Sequence, residues 1–185
     1  VGDATRLPFP DDAFDLVVCQ ALLINLPEPA AALAEFARVS SDLVAAVEPN
    51  NAAVEVSSTV DAEERLESRV RAAYLSGVET DVALGDRVET LFENAGLSVV
   101  ADRVYRHEKL VEPPYSERAM ADAARKASGA GLADHESELR NAVGAEYDEL
   151  RAAWRSMGRD VVREMAEEEY RRREVVPFEV TVGRV

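Results

Sequence analysis

The sequence predicts an α/β fold. Two continuous apolar runs, Phe14–Cys19 and Leu43–Val47, have the length and Val content of strands buried on both faces of a parallel sheet. The closing segment Val176–Val185 alternates Val176, Phe178, Val180 and Val182 with Glu179 and Thr181, the pattern of a half-buried antiparallel strand. Between these segments, apolar residues recur at spacings of three and four, which predicts helices.

In chain order, Gly2-Asp3-Ala4 is a polar turn, closed by the hydrophobic hook Leu7-Pro8-Phe9. The first strand is expected over Phe14–Gln20. Leu26-Pro27-Glu28-Pro29 launches a helix to about Val39, with proline in a first helical turn and Glu28 at the positive end of the dipole. The second strand, Leu43–Glu48, ends in the polar turn Glu48-Pro49-Asn50-Asn51. Open α/β sheets bind ligands at such strand ends, which makes Asn50 a candidate substrate contact.

Asp61–Ser76 reads as a helix, with Asp61 and Glu64 at capping-box spacing and Gly77 as its stop. Val88, Leu91, Phe92 and Ala95 predict another, ended by Gly96. A long strand follows over Leu97–Glu108. Three helical stretches are then expected: Ser116–Ser128, a stripe of Leu139, Val143, Tyr147, Leu150 and Trp154, and a stripe of Val161, Val162, Met165 and Tyr170. Glu167–Glu169 and Arg171–Arg173 read as the solvated face of the last.

The chain has 185 residues, with 36 Asp+Glu against 21 Lys+Arg and a formal charge of −15. Lysine occurs only at Lys109 and Lys126. This balance argues against nucleic acid as a partner, because phosphate binding needs a basic face. It suits either an ordinary acidic protein or a salt-rich, halophilic cytoplasm, where charge keeps proteins soluble while salt screens self-repulsion. No apolar run approaches a membrane span. The single cysteine, Cys19, excludes an internal disulfide and fits a reducing cytoplasmic location. Its neighbours Val17, Val18 and Gln20 offer no base to make a thiolate, which favours packing over covalent chemistry. His107 and His135 are the only histidines, too few with one cysteine for a metal site. His107 on the long strand has the unperturbed pKa of a general base but lies away from the ligand-binding strand ends.

Gly-Asp-Ala followed by Leu-Pro-Phe, then Phe14-Asp15-Leu16-Val17 opening a strand, a helix and another strand, resembles the middle of a class I S-adenosylmethionine (SAM) dependent methyltransferase. Asp81–Val88 and Lys109–Ser116 are similar to junctions in a bacterial and archaeal branch of small methyltransferases. The resemblance implies a partial Rossmann-like methyltransferase sheet, strands four to seven of the family, with a helical insertion between the last two. Residues 1–110 would be the C-terminal part of the Rossmann-like domain, 111–175 the insertion acting as substrate cap, and 176–185 the final strand.

The resemblance also implies a cofactor site. Asp3 would accept from the adenine amino group, the Ala4 backbone would meet the ring, and Cys19 and Gln20 would wall the methyl sulfonium. The family's glycine-rich loop and ribose-binding acid would precede Gly2, so the chain is expected to be the C-terminal portion of a longer enzyme and inactive alone. The acceptor is expected to be a small molecule. Tyr147 and Trp154 either line its pocket or form the core of the insertion. Asn25-Leu26 replaces the His-Leu of many small-molecule members, which removes a base there. Pro113-Pro114-Tyr115 follows the wrong strand for an amino-methylating motif and reads as a rigid entry to the insertion. A partner-dependent, non-catalytic methyltransferase-like module is the alternative, and a dinucleotide enzyme fits the turn less well. The bare Val-rich edge of Phe14–Gln20 predicts a homodimer.

Overall fold

The computed structural model describes residues 2–85 and 87–185; Val1, and Asp86 within the Asp81–Val88 junction, lie outside them. The chain divides into two units. The first runs through Ala53 and resumes at Glu79–His107 and Val176–Val185; the second comprises Val54–Val78 and Glu108–Val175.

In the first unit, β1 (Phe14–Gln20) lies parallel to β2 (Ser40–Pro49), with Leu16 opposite Leu43 and Gln20 opposite Val47. Helix α1 (Pro29–Val39) makes the crossover and buries Ala32, Leu33, Phe36 and Val39. These pack with Val44 and Ala46 of β2 and with Val88 and Phe92 of α3 (Arg87–Asn94). The C-terminal strand pairs antiparallel with β2, from Leu43–Arg184 to Pro49–Phe178.

One expectation fails here. Strand β1 is not buried on both faces: Leu16 is 49% and Val18 58% exposed, while Cys19 is buried. The pleat sends Val17 and Cys19 toward α1 and α3, and Leu16 and Val18 to the opposite face, which no helix among the described residues of the unit covers.

In the second unit, α2 (Asp61–Gly77), α4 (Glu117–Ser128), the short α5 (Ala130–Ala133), α6 (Glu136–Val143) and α7 (Tyr147–Ala166) enclose a core including Leu66, Leu139, Tyr147, Leu150, Trp154, Met157 and Val161. Ser116 caps α4 by accepting the Ala119 N–H at 3.2 Å. A Cβ on Gly158 would fall 2.3 Å from the Ala127 nitrogen, so glycine is what lets α7 approach α4.

The remaining strands are β3 (Glu55–Ser58), β4 (Ser98–Val111) and β5 (Arg172–Arg184). Strand β3 pairs antiparallel with the start of β5, Glu55 opposite Val175 and Ser58 opposite Arg172. Strand β4 pairs with β5, completing a five-stranded sheet of order β1-β2-β5-β3 with β4 on β5. The side-chain pairs Lys109–Glu174 and Asp102–Thr181 run in opposite directions along β4 and β5, so these strands are antiparallel.

Four further details depart from the sequence expectations. The four-residue β3 is too short to show an alternating pattern. The Asp61–Glu64 capping box does not form: Val60 is the cap residue and Asp61 already helical, and Ser58 Oγ takes the Val60 N–H at 3.1 Å. The stripe from Leu139 to Trp154 is broken at Gly144 (φ +55°), and its second half continues through Val161 to Met165 as the single helix α7. The break leaves no trace in the apolar spacing because Gly144 is not part of the stripe. Glu167–Arg173 is not a helical face either. Helix α7 stops at Ala166, Glu168 takes φ +58°, and Arg172 starts β5 inside an ion-pair cluster.

Candidate functional site

The Asp3 turn is tied by its own side chains. Asp3 Oδ1 accepts the Thr5 N–H at 2.9 Å and the Thr5 hydroxyl at 2.7 Å. These bonds hold the Asp3 carboxyl below its ordinary pKa, the Thr5 hydroxyl contributing most. Asp3 is exposed, and its Oδ2 has no hydrogen-bond partner among the described residues. Ala4 and Leu7 pack against the core of the first unit.

The Leu-Pro-Phe hook is clamped by α1. The Leu7 N–H donates to Glu35 at 2.7 Å, and Arg38 donates to the Phe9 carbonyl at 3.0 Å and to Asp11 at 2.6 Å. Glu35 is held down to about 2, first by its bond from Arg38 and then by the Leu7 N–H.

The carboxyl ends of β1 and β2 meet at a loop built on Glu48. The Glu48 side chain has no exposed surface. Its Oε1 accepts the Leu22 N–H at 3.0 Å and the Leu23 N–H at 3.1 Å, and its Oε2 the Ile24 N–H at 3.3 Å. Ala21, at φ +47°, donates its N–H to the Val47 carbonyl at 3.0 Å. Asn25 Nδ2 donates to the Ala21 carbonyl at 2.8 Å and leaves its amide oxygen as an acceptor.

Cys19 is buried with Sγ 3.8 Å from Glu48 Oε1. Burial, then the Glu48 charge, pushes its thiol up to about 12, so it packs and does not attack. Gln20 is exposed at the strand end. The Asn50 N–H donates to the Pro177 carbonyl at 2.8 Å. Its side chain covers Gly85 (φ +49°), where a Cβ would sit 2.7 Å from Asn50 Nδ2. Asn51 Nδ2 donates to the Val82 carbonyl at 2.6 Å.

Thus Cys19, Gln20 and Asn50 stand at the carboxyl ends of adjacent parallel strands, and Asp3 and Ala4 belong to the same unit. Tyr147 and Trp154 lie in the core of the second unit. The Tyr147 hydroxyl donates to the Leu132 carbonyl at 3.3 Å, and the Trp154 ring lies 5.9 Å from Lys126 Nζ. His107 neighbours the Tyr105 and Phe178 rings, and His135 the Tyr74 ring. No cluster that could hold a metal ion occurs among the described residues, and no helix among them is long and apolar enough to cross a membrane.

Sequence reasoning missed Glu48 and the Glu35–Arg38 clamp. Glu48 carried a signal, as an acid ending an apolar run that reads as a buried strand. The clamp did not, since Glu35 and Arg38 look like ordinary surface residues of an amphipathic helix.

The family model described as a methyltransferase domain matches residues 1–42, which contain the Asp3 turn, the hook, β1 and α1. The match bears out the methyltransferase resemblance over residues 1–42; Asp81–Val88 and Lys109–Ser116 lie beyond it. No curated protein matches the chain. Similar solved structures include the YcgJ protein from Bacillus subtilis, at 14% identity and TM-score 0.47, covering 98% of this chain and 68% of that one. A protein from Bacillus halodurans described as a methyltransferase is 15% identical at TM-score 0.42, covering 97% and 75%. The cyclase SpnF is 18% identical at TM-score 0.41, covering 99% of this chain and 53% of its own, so the chain spans about half of its length.

Proposed function

We propose that this chain contributes the adenine contact and the acceptor-facing wall of a SAM-dependent methyltransferase acting on a small molecule. The observation that carries the reading is the coincidence of the methyltransferase-domain match over residues 1–42 with the strand-end platform at Gln20 and Asn50. The residues fit the cofactor. The free Oδ2 of Asp3 can accept from an adenine amino group. Gln20 and the buried, protonated Cys19 form a wall with no nucleophile to intercept the methyl group. SAM supplies an already activated methyl, so the protein has only to bind, align and exclude water. Acceptor alignment falls to the polar side chains at the platform, Asn25 and Asn50. One cysteine and a charge of −15 support a reducing, salt-rich cytoplasm as the setting.

The test is ligand choice. The chain in its full natural reading frame should bind SAM and S-adenosylhomocysteine and not NAD. Binding of NAD in preference to SAM would move the site to a dinucleotide enzyme. Binding of neither would favour a module that works through a protein partner.

A further inference from the structure

We propose that Glu48 is a positioning residue: it holds the loop Ala21–Asn25 in one conformation at the ligand-facing strand ends and so sets where Gln20 and Asn25 stand. As a statement about function, this rests on the methyltransferase reading. As a statement about the loop, it stands on geometry alone.

A carboxylate with no exposed surface needs compensation, because a buried, unpaired charge is strongly disfavoured. No cation pairs with Glu48 among the described residues. Its charge is instead met by the N–H groups of Leu22, Leu23 and Ile24, with the Cys19 thiol beside them. Backbone N–H groups stabilise a carboxylate well when several converge on it. The dependence is mutual. If the loop swings out, Glu48 is stranded, and if Glu48 is removed, the buried Leu23 and Ile24 N–H groups and the part-buried Leu22 N–H lose their acceptor. The loop, in which Leu23–Asn25 forms a single 3-10 turn, is therefore fixed to the end of β2.

A second observation points the same way. Ala21, the hinge between β1 and the loop, has φ +47°, a region alanine rarely adopts. Such strain persists only where the surroundings impose it, and it clusters at functional sites. Here the surroundings are the Val47 carbonyl, which takes the Ala21 N–H, and the Glu48 bonds one residue later. Because the three N–H groups turn inward, the exposed polar side chains here are Gln20, at the end of β1, and Asn25, in the loop.

Hydrogen exchange on the unmodified protein tests the latch without any variant. The amides of Leu22, Leu23 and Ile24 should be protected to the level of β2, and exchange at the rate of an open loop would overturn it. Glu48→Gln keeps the shape but turns one acceptor into a donor. It should speed exchange at Leu22–Ile24 at least roughly tenfold while the amides of Val44 and Ala46 stay protected. Glu48 is the charged group acting on Cys19, so the same variant should move the pH midpoint of Cys19 alkylation downward. An unmoved midpoint and unchanged loop exchange would overturn the proposal. In the full reading frame, Glu48→Gln should weaken SAM at least tenfold, with Glu48→Asp intermediate. Unchanged SAM affinity beside a loosened loop would overturn the positioning role. Failure of the unmodified protein to bind SAM is failure of the functional reading, and the exchange and alkylation results still decide whether Glu48 holds the loop.

Discussion

Lys126 Nζ lies 2.6 Å from Glu67 Oε1 in the second unit, and the same ammonium pairs with the fully buried Glu63. Arg172 closes the cluster at 2.6 Å from both Glu67 and Glu174, and Tyr170 donates its hydroxyl to Glu63 at 2.9 Å. The chain's two lysines both serve this region, since Lys109 pairs with Glu174 at 2.9 Å. Removing one partner of a buried pair strands the other charge, at a cost of about 3–5 kcal/mol. Lys126→Met should therefore lower stability by about that amount in urea unfolding, and Lys126→Arg by less. A loss below about 1 kcal/mol would show the cluster to be solvated.

The same cluster sets an acid limit. Burial raises the Glu67 pKa, but the charges of Lys126 and Arg172 outweigh it and leave the carboxyl below its ordinary value. For Glu174, burial is likewise outweighed by bonds from Arg172 and Lys109, which hold it down to about 2. A carboxyl whose folded pKa is depressed contributes stability that is present above its unfolded value and lost as pH falls through the folded one. Urea midpoints should hold from neutral pH to about 5 and fall between about 4.5 and 2. Glu67→Gln should flatten that fall, and an equally steep fall in the variant would assign it to other carboxyls.

Strand β1 has no neighbour on its outer edge among the described residues, and Leu16 and Val18 are exposed. Unpaired, apolar edges template pairing with another chain. Sedimentation of residues 1–185 should show self-association that grows with concentration. Val18→Lys, which places a charge in the middle of the edge, should return the chain to monomer. A wild-type monomer at high concentration would remove the edge as an interface.

The sequence disclosed what depends on local pattern. The bounds of β1 were legible to the residue because an apolar run lies between the turn residues of Pro10–Ala13 and the polar Gln20. Helix α4 was legible over Ser116–Ser128, and the structure adds Gly129 as its C-terminal cap. Elements that depend on distant partners were not. Strand β3 exists because Glu55–Ser58 pairs with Arg172–Val175 more than a hundred residues away. Arg172 looked solvated because two of the glutamates around it, Glu63 and Glu67, come from α2, more than a hundred residues away. At the site, Asp3, Cys19 and Gln20 were expected only from the family resemblance, and Asn50 from its place at a strand's carboxyl end. The grip of Glu48 on the Leu22–Ile24 amides is a backbone contact and leaves no mark in side-chain spacing.

The most direct measurement is calorimetric titration of SAM into the full reading frame, with Asp3→Ala and Thr5→Val beside the unmodified protein. A hydrogen bond to a charged acceptor contributes about 1.5–3 kcal/mol, and about 1.4 kcal/mol is a factor of ten. Asp3→Ala should therefore weaken SAM at least roughly tenfold. Thr5→Val removes the hydroxyl bond within the turn but keeps the carboxylate, and should weaken SAM less. Binding with Asp3→Ala indistinguishable from the unmodified protein would show that the adenine is held elsewhere, and absence of SAM binding in the unmodified protein would contradict the methyltransferase reading itself.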